Sequence, residues 1–149
     1  EQIVIAGHKG AVERAMALAT AAGAKRAVPL PVSAPFHCSL MRPAQERLTP
    51  ELHAAEFRDL EFPLLNNVRV EEVRTGAVAR QGVIDQIPSP VQWEQTVRKL
   101  LAGGVNLFVE VGPGRVLSGL MRQIDRAAAC VNVEDVKSLE KALAAINAE

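Results

Sequence analysis

One histidine has a setting suited to acid-base chemistry. His37 ends an apolar, proline-containing run over residues 29–36, and a helical pattern begins at Ser39. An imidazole at the carboxyl end of a strand can act as a general base near neutral pH. A single histidine among apolar residues is also compatible with a hydrogen-bonded structural role. The local sequence leaves both interpretations of His37 open.

No side chain in the sequence has the setting of the nucleophile that such a base would serve. The 149 residues contain no Gly-x-Ser-x-Gly turn between a strand and a helix. Ser118 lies inside a predicted helix, and we do not assign it as a nucleophile. Cys38 adjoins His37, but neighbouring side chains of an extended segment point to opposite faces, so the two form a poor pair. The sequence therefore predicts half of an active site.

Metal and anion sites are poorly supported by the residue spacing. The histidines and cysteines form no C-x-x-C or H-x-x-x-H pattern, and we expect no metal and no cofactor. They are His8, His37, His53, Cys38 and Cys130. Gly-Pro-Gly at residues 112–114 resembles an anion-binding turn. It lacks the third glycine of a dinucleotide fingerprint, so we expect a tight connection near the cleft.

Composition excludes several classes of function. Seventeen basic and seventeen acidic residues cancel and form no basic block, so nucleic acid is not an expected partner. No apolar stretch is long enough to span a bilayer, and we expect no membrane association. Two cysteines are too few for a secreted disulfide scaffold, and we predict free thiols in the cytoplasm. The first residues suggest a strand already under way, as if the chain were cut from something longer.

The apolar pattern predicts an α/β fold with a mostly parallel sheet. Strands and helices alternate, and the functional groups of such folds gather at the carboxyl ends of strands. The predicted strands are 3–6, 63–68, 105–111 and 130–133, and the predicted helices are 9–22, 39–52, 77–87, 89–102, 115–124 and 138–148.

Three local signals make sharper predictions. Pro50 should kink or restart the helix that follows His37. Ser89 should cap the next helix, with Pro90 at its first position. The strand over 105–111 should be buried, and the helix that follows it should turn one apolar face toward the core. The residues of that face are Val116, Leu117, Leu120, Met121 and Ile124.

Four stretches of the chain resemble the malonyl-CoA:acyl-carrier-protein transacylases of fatty acid synthesis, which are related to acyltransferase domains of polyketide synthases. They fall in the family's order and approximate spacing and together cover nearly the whole chain. The stretches are residues 4–9, residues 31–41, residues 66–68 with 89–93, and residues 110–117.

The resemblance implies an acyl-enzyme mechanism. A serine takes malonyl from coenzyme A and passes it to the phosphopantetheine thiol of acyl carrier protein, with no metal or cofactor. His37 matches the family's catalytic base, and Gln86 matches the position whose backbone carbonyl orients it. Phe36 looks like the phenylalanine that leaves little room for an α-methyl branch, which implies selectivity for malonyl.

The same resemblance implies that much of the enzyme lies upstream. The family's Gly-His-Ser-Leu-Gly turn, its malonyl-binding arginine and its amino-terminal glutamine are not in this sequence. We expect residues 1–34 to finish a ferredoxin-like small subdomain and residues 35–149 to form the carboxyl-terminal part of an α/β-hydrolase-like parallel sheet. A missing amino-terminal half or a second copy of the chain should cover the exposed edges. The alternative is an inactive fragment that only binds or self-associates.

Overall fold

The structure is a computed structural model and describes residues 2–147. These residues fall into two compact units, residues 2–92 and residues 93–147, which are described separately below. The chain contains both helices and strands, which alternate within residues 93–147, so the predicted α/β class is confirmed. Of the two strand pairs described, one is antiparallel and one is parallel. The boundary expected between residues 34 and 35 stays a prediction.

The first unit contains three α-helices, a 3₁₀ turn and a short antiparallel strand pair. In chain order they are α1 (Lys9–Ala21), the 3₁₀ turn (Ser39–Met41), α2 (Arg42–Ala54), β1 (Leu64–Leu65), β2 (Glu72–Val73) and α3 (Gly76–Gln86). Helix α1 stops as predicted because Gly23 adopts a φ of 95°, and the N–H of Ala24 then donates to the carbonyl of Ala19.

Helix α3 begins in close contact with the backbone that precedes β1. Gly76, its first residue, is buried, and its N–H donates to Asp59 Oδ1 at 2.9 Å. A Cβ at this position would lie 2.1 Å from the carbonyl oxygen of Phe57. Only glycine permits this approach, which fixes where α3 begins. Helix α3 also packs against α2.

The second unit is built around two parallel strands. Its elements are α4 (Trp93–Ala102), β3 (Leu107–Val111), α5 (Val116–Ile124), β4 (Ala129–Val133) and α6 (Val136–Ile146). Strands β3 and β4 pair in register from Leu107 with Ala129 to Val111 with Val133. Helix α6 packs on β4. This parallel pair confirms the predicted strands over 105–111 and 130–133 to within two residues.

The amino-terminal strand prediction is wrong. Residues 3–6 form no strand in the described part of the chain. A strand exists only through hydrogen bonds to a neighbour, and none of the four strands described pairs with this segment. The apolar side chains of Ile3, Val4 and Ile5 are between 51% and 76% exposed. The predicted strand over 63–68 likewise shortens to two residues, because the chain turns back after Leu65.

The predicted restart at Pro50 and the predicted cap at Ser89 are both wrong, and the alternative of a kink at Pro50 stays a prediction. Helix α2 runs through Pro50 without a restart, and the Thr49 hydroxyl donates to the carbonyl of Gln45 at 2.7 Å. Helix α4 begins at Trp93, so Ser89 and Pro90 lie before it and form no capping box. A true box caps α6 instead. The Asp135 side chain accepts from the Ser138 N–H, and the Ser138 hydroxyl oxygen accepts from the Asp135 N–H. Helix α6 therefore begins two residues earlier than predicted. Ala148 lies outside the described residues.

Much apolar surface is exposed in this chain. Val109 and Val111 of β3 are exposed, so the predicted burial of this strand is wrong here. On α5 the residues that are buried are Ser118 and Met121, whereas Val116 is 71% exposed. A two-stranded sheet leaves both of its outer edges without a paired strand. Further large apolar side chains are exposed in the first unit, among them Leu18, Val28, Leu30, Val32 and Phe62.

Candidate active site

His37 lies in an exposed turn immediately before the 3₁₀ turn and α2. The setting considered for it, the carboxyl end of a strand, is not formed in the described residues. The preceding segment has no strand pairing, and prolines at 29, 31 and 35 cannot donate to a ladder. The backbone of His37 has a φ of 60°, a left-handed conformation that is uncommon outside glycine. This turn directs the chain abruptly into the next helix and leaves the imidazole open to solvent.

The imidazole contacts the end of α3. His37 Nδ1 lies 3.3 Å from the backbone carbonyl oxygen of Gln86, 49 residues further along the chain. A carbonyl oxygen can only accept a hydrogen bond, so Nδ1 must be the protonated nitrogen in this contact. The unprotonated Nε2 then carries the lone pair that a general base uses. The carbonyl of Gln86 is available because the last turn of a helix has carbonyls without intrahelical partners.

The two residues beside His37 occupy different environments. Phe36, the residue before His37 in the chain, is 46% exposed, so its ring is available at the surface. Cys38 is half-buried, and its thiol donates to the carbonyl of Pro35 at 3.2 Å. Cys38 therefore satisfies its hydrogen bond locally and does not form a pair with His37.

Side-chain support around Gln86 was missed by the sequence analysis. Gln86 Nε2 donates to the carbonyl oxygens of Ser89 at 2.9 Å and Pro90 at 3.1 Å. Gln45, on α2, donates from Nε2 to the carbonyl oxygen of Ile84 at 2.9 Å. The signal that could have revealed this support is the proline spacing after α3, with Pro88 and Pro90 four residues after Ile84 and Gln86.

The paired asparagines near the strand β1 close a turn. Asn66 Oδ1 accepts from the N–H of Arg69 at 2.9 Å, and the carbonyl of Asn66 accepts from the N–H of Val70. The carbonyl of Asn67 accepts from the N–H of Gln92 at 2.8 Å. These contacts give both residues a role in the backbone connection.

Carboxylates of the second unit already accept from one N–H of the Gly-Pro-Gly turn and from two N–H groups in the first turn of α5. Glu110 accepts from the N–H of Leu117 and the N–H of Ser118, at 2.9 and 2.8 Å, and from the Ser118 hydroxyl. Glu134 accepts from the N–H of Gly114 at 3.1 Å. The hydrogen bond from the Ser118 hydroxyl is the main cause that lowers the pKa of Glu110. Residues 112–114 therefore form a tight connection, the alternative that the sequence favoured over an anion site.

Other classes of site are not formed by the residues at hand. Across residues 2–147, no group of three or more histidine, cysteine, aspartate or glutamate side chains is arranged to hold a metal ion. In the same residues no helix is both long and apolar enough to cross a membrane.

Comparison with known proteins gives a consistent set of relatives. No protein-family model matches the chain. The chain is 42% identical over 148 residues to the malonyl CoA-acyl carrier protein transacylase of Bacillus subtilis, covering 99% of this chain and 47% of that protein. It is 50% identical over 123 residues to the transacylase of the same name from Escherichia coli K12, covering 83% of this chain and 40% of that protein.

Solved structures agree. The acyl-carrier-protein S-malonyltransferase of Bartonella henselae matches with a TM-score of 0.90 and 36% identity, over 95% of this chain and 45% of that one. A malonyl-transacylase solved in complex with its type II polyketide synthase acyl-carrier protein matches with a TM-score of 0.89 and 43% identity, over 93% of this chain and 45% of that one.

Fold and site together define an α/β chain that carries a candidate general base held by a backbone carbonyl. By sequence and by structure the chain belongs to the malonyl CoA-acyl carrier protein transacylase family. It spans somewhat less than half the length of the curated relatives it matches.

Proposed function

We propose that the complete protein transfers a malonyl group from coenzyme A to the phosphopantetheine thiol of acyl carrier protein, through a serine acyl-enzyme. Family membership supports this activity. The observation that carries it is the exposed imidazole of His37 with Nδ1 against the Gln86 carbonyl, 3.3 Å away. The nucleophilic serine belongs to a part of the protein outside this segment.

In the first half-reaction His37 prepares the serine. Nε2 removes the serine hydroxyl proton as the oxygen attacks the thioester carbonyl carbon. The tetrahedral intermediate then breaks its carbon–sulfur bond, and the imidazolium returns the proton to the departing coenzyme A thiolate. The products are free coenzyme A and a malonyl ester of the serine. The Gln86 carbonyl keeps the proton on Nδ1 throughout, which leaves Nε2 as the nitrogen that exchanges protons.

In the second half-reaction the same imidazole acts on the carrier protein. Nε2 removes the proton of the phosphopantetheine thiol, and the thiolate attacks the malonyl ester. The ester carbon–oxygen bond breaks, and the serine oxygen recovers its proton from the imidazolium. Because the acceptor at Nδ1 is neutral, it fixes the ring without adding a negative charge to the site.

Phe36 is the proposed selectivity residue. Its exposed ring directly precedes His37 in the chain. A bulky ring beside the base disfavours a substrate with an α-methyl branch, and a hydrophobic pocket discriminates a methyl group by about 1–3 kcal/mol. We propose malonyl as the favoured acyl group on this basis.

The proposed architecture follows the family. Residues 1–34 would finish a ferredoxin-like small subdomain, and residues 35–149 would complete a hydrolase-like sheet in the cytoplasmic enzyme. The unpaired edges of the two-stranded sheet of β3 and β4 and the exposed apolar residues support a further chain segment, or a second copy of this chain, as the partner that covers them.

The test is malonyl transfer from coenzyme A to carrier protein by the complete protein and by its His37→Ala variant. We expect a loss of at least about a hundredfold in kcat, the size typical for a general base. The matched control is His53→Ala, which removes an exposed histidine from α2. Unimpaired transfer by His37→Ala would remove His37 from the mechanism and leave the alternative of an inactive binding fragment.

A further inference from the structure

Two prolines follow α3 at positions that matter for its last carbonyls. In an α-helix the N–H of each residue donates to the carbonyl four residues earlier. Pro88 and Pro90 stand four residues after Ile84 and Gln86, and proline has no N–H. The carbonyls of Ile84 and Gln86 therefore cannot receive a backbone N–H from the residue four positions later. The Asp85 carbonyl also lies in the last turn of α3, but its residue four positions later is Ser89, whose N–H donates to the Gln86 carbonyl.

Each of the two freed carbonyls receives a side chain from the segment around α2. The carbonyl of Ile84 accepts from Gln45 Nε2 at 2.9 Å. The carbonyl of Gln86 lies 3.3 Å from His37 Nδ1 and also accepts from the N–H of Ser89 at 3.1 Å. The end of α3 is thus connected both to the helix that follows His37 and to His37 itself.

The Gln86 side chain stabilises the backbone segment that follows α3. Its amide donates to two consecutive carbonyls, those of Ser89 and Pro90, at 2.9 and 3.1 Å. Those two residues follow the end of α3, and the N–H of Ser89 donates to the Gln86 carbonyl. The Gln86 side chain therefore fixes the turn after α3, and a backbone N–H of that same turn, from Ser89, donates to the Gln86 carbonyl.

We propose that the Gln86 side chain is a positioning residue for His37, because it fixes the direction of the Gln86 carbonyl that accepts the Nδ1 proton. The inference rests on the proposed function of His37 as base. Any residue at position 86 would supply a backbone carbonyl, so the new assignment concerns the side-chain amide of glutamine. A contact of 3.3 Å is near the long limit for an N–H···O bond, so a small rotation of the carbonyl breaks it.

The direct test is the tautomer of His37, read from imidazole ¹⁵N chemical shifts in the complete protein at a pH where the ring is neutral. In the parent protein we expect the form protonated on Nδ1. Gln86→Met keeps the side-chain length and removes both donors, and Gln86→Glu replaces the amide with a carboxylate that repels the two carbonyls. Both variants should shift His37 toward the form protonated on Nε2. His8 and His53 report in the same spectrum whether the fold is retained.

The matched control is Gln81→Ala. Gln81 lies on the same helix and also donates one side-chain hydrogen bond, from Nε2 to Asp85 Oδ1 at 2.7 Å. This variant should leave the His37 tautomer and the transfer rate unchanged. In the transfer assay both Gln86 variants should lower kcat by about tenfold to a hundredfold with little change in KM, because Gln86 is placed against the base and not the substrate.

The tautomer measurement separates this inference from the proposed function. If His37 gives the same ¹⁵N shifts in Gln86→Met, in Gln86→Glu and in the parent, the positioning role is wrong even if transfer requires His37. If His37→Ala retains transfer, the catalytic role is wrong even if the tautomer depends on Gln86.

Discussion

Replacing Gly76 with alanine should displace the helix that carries Gln86. The added Cβ would lie 2.1 Å from the Phe57 oxygen, 2.5 Å from the Phe57 carbonyl carbon and 2.8 Å from the Arg58 oxygen. All three are backbone atoms, which cannot rotate away as a flexible side chain could. The start of α3 must therefore move by about 1 Å, the shortfall between 2.1 Å and an allowed contact.

The cost follows from that displacement. Overpacking a tightly packed site costs about 1–3 kcal/mol, and contact with three backbone atoms places Gly76→Ala at the upper end, near 3 kcal/mol. With a urea m-value of about 1–3 kcal/mol/M, the unfolding midpoint should fall by roughly 1–3 M. A shift that is carried along α3 would also move the Gln86 carbonyl, which lies 3.3 Å from His37 Nδ1.

The assay is equilibrium urea unfolding of the complete protein, with Gly82→Ala as the matched control. Gly82 lies inside the same helix, and a Cβ there would meet its nearest neighbour, Asn66 Nδ2, at 3.9 Å, an ordinary contact. Because alanine is the better helix former, this control should gain about 0.5–1 kcal/mol. The same substitution should thus have opposite signs at two positions six residues apart in one helix. Equal stability of Gly76→Ala and the parent would refute the packing argument.

Three further outcomes are expected. The lowered pKa of Glu110 means that its ionised form stabilises the fold above pH 4.5 and that this contribution is lost as the pH falls through the lowered value. Glu110→Gln should therefore destabilise at neutral pH and weaken the acid dependence, measured by urea midpoints at neutral pH and well below pH 4.5. Thr96 is 4% exposed, and its hydroxyl has no hydrogen-bond partner within residues 2–147, so Thr96→Val should raise the free energy of unfolding by about 1 kcal/mol. Phe36→Ala should raise the methylmalonyl-to-malonyl ratio of kcat/KM by about tenfold or more, measured with the two coenzyme A thioesters.

Local sequence signals predicted the elements that are stabilised locally. Helix α1 and its glycine stop were predictable because the alanine-rich run and Gly23 act through nearby residues. The cap of α6 was predictable as well, since Asp135 and Ser138 have the required spacing, although the sequence analysis did not use it. Ser89 and Gln92 have the same spacing, but Ser89 caps no helix because α4 begins only at Trp93.

Elements that depend on distant partners were not predictable from local patterns. Residues 3–6 have strand-forming side chains but no neighbouring strand within residues 2–147. The contact between His37 and Gln86 joins positions 49 residues apart, and no spacing rule connects them. Their pairing was expected only from the family resemblance. The left-handed backbone of His37 was likewise invisible, because no glycine marks it.

The most direct measurement of the central claim is a rapid-quench comparison of the two half-reactions in the complete protein and in His37→Ala. Release of coenzyme A reports formation of the malonyl ester, and transfer to carrier protein reports its breakdown. One imidazole takes the proton in both steps, so both rates should fall by about a hundredfold or more. A variant in which either half-reaction keeps its parent rate would contradict the assignment of His37 as the shared base.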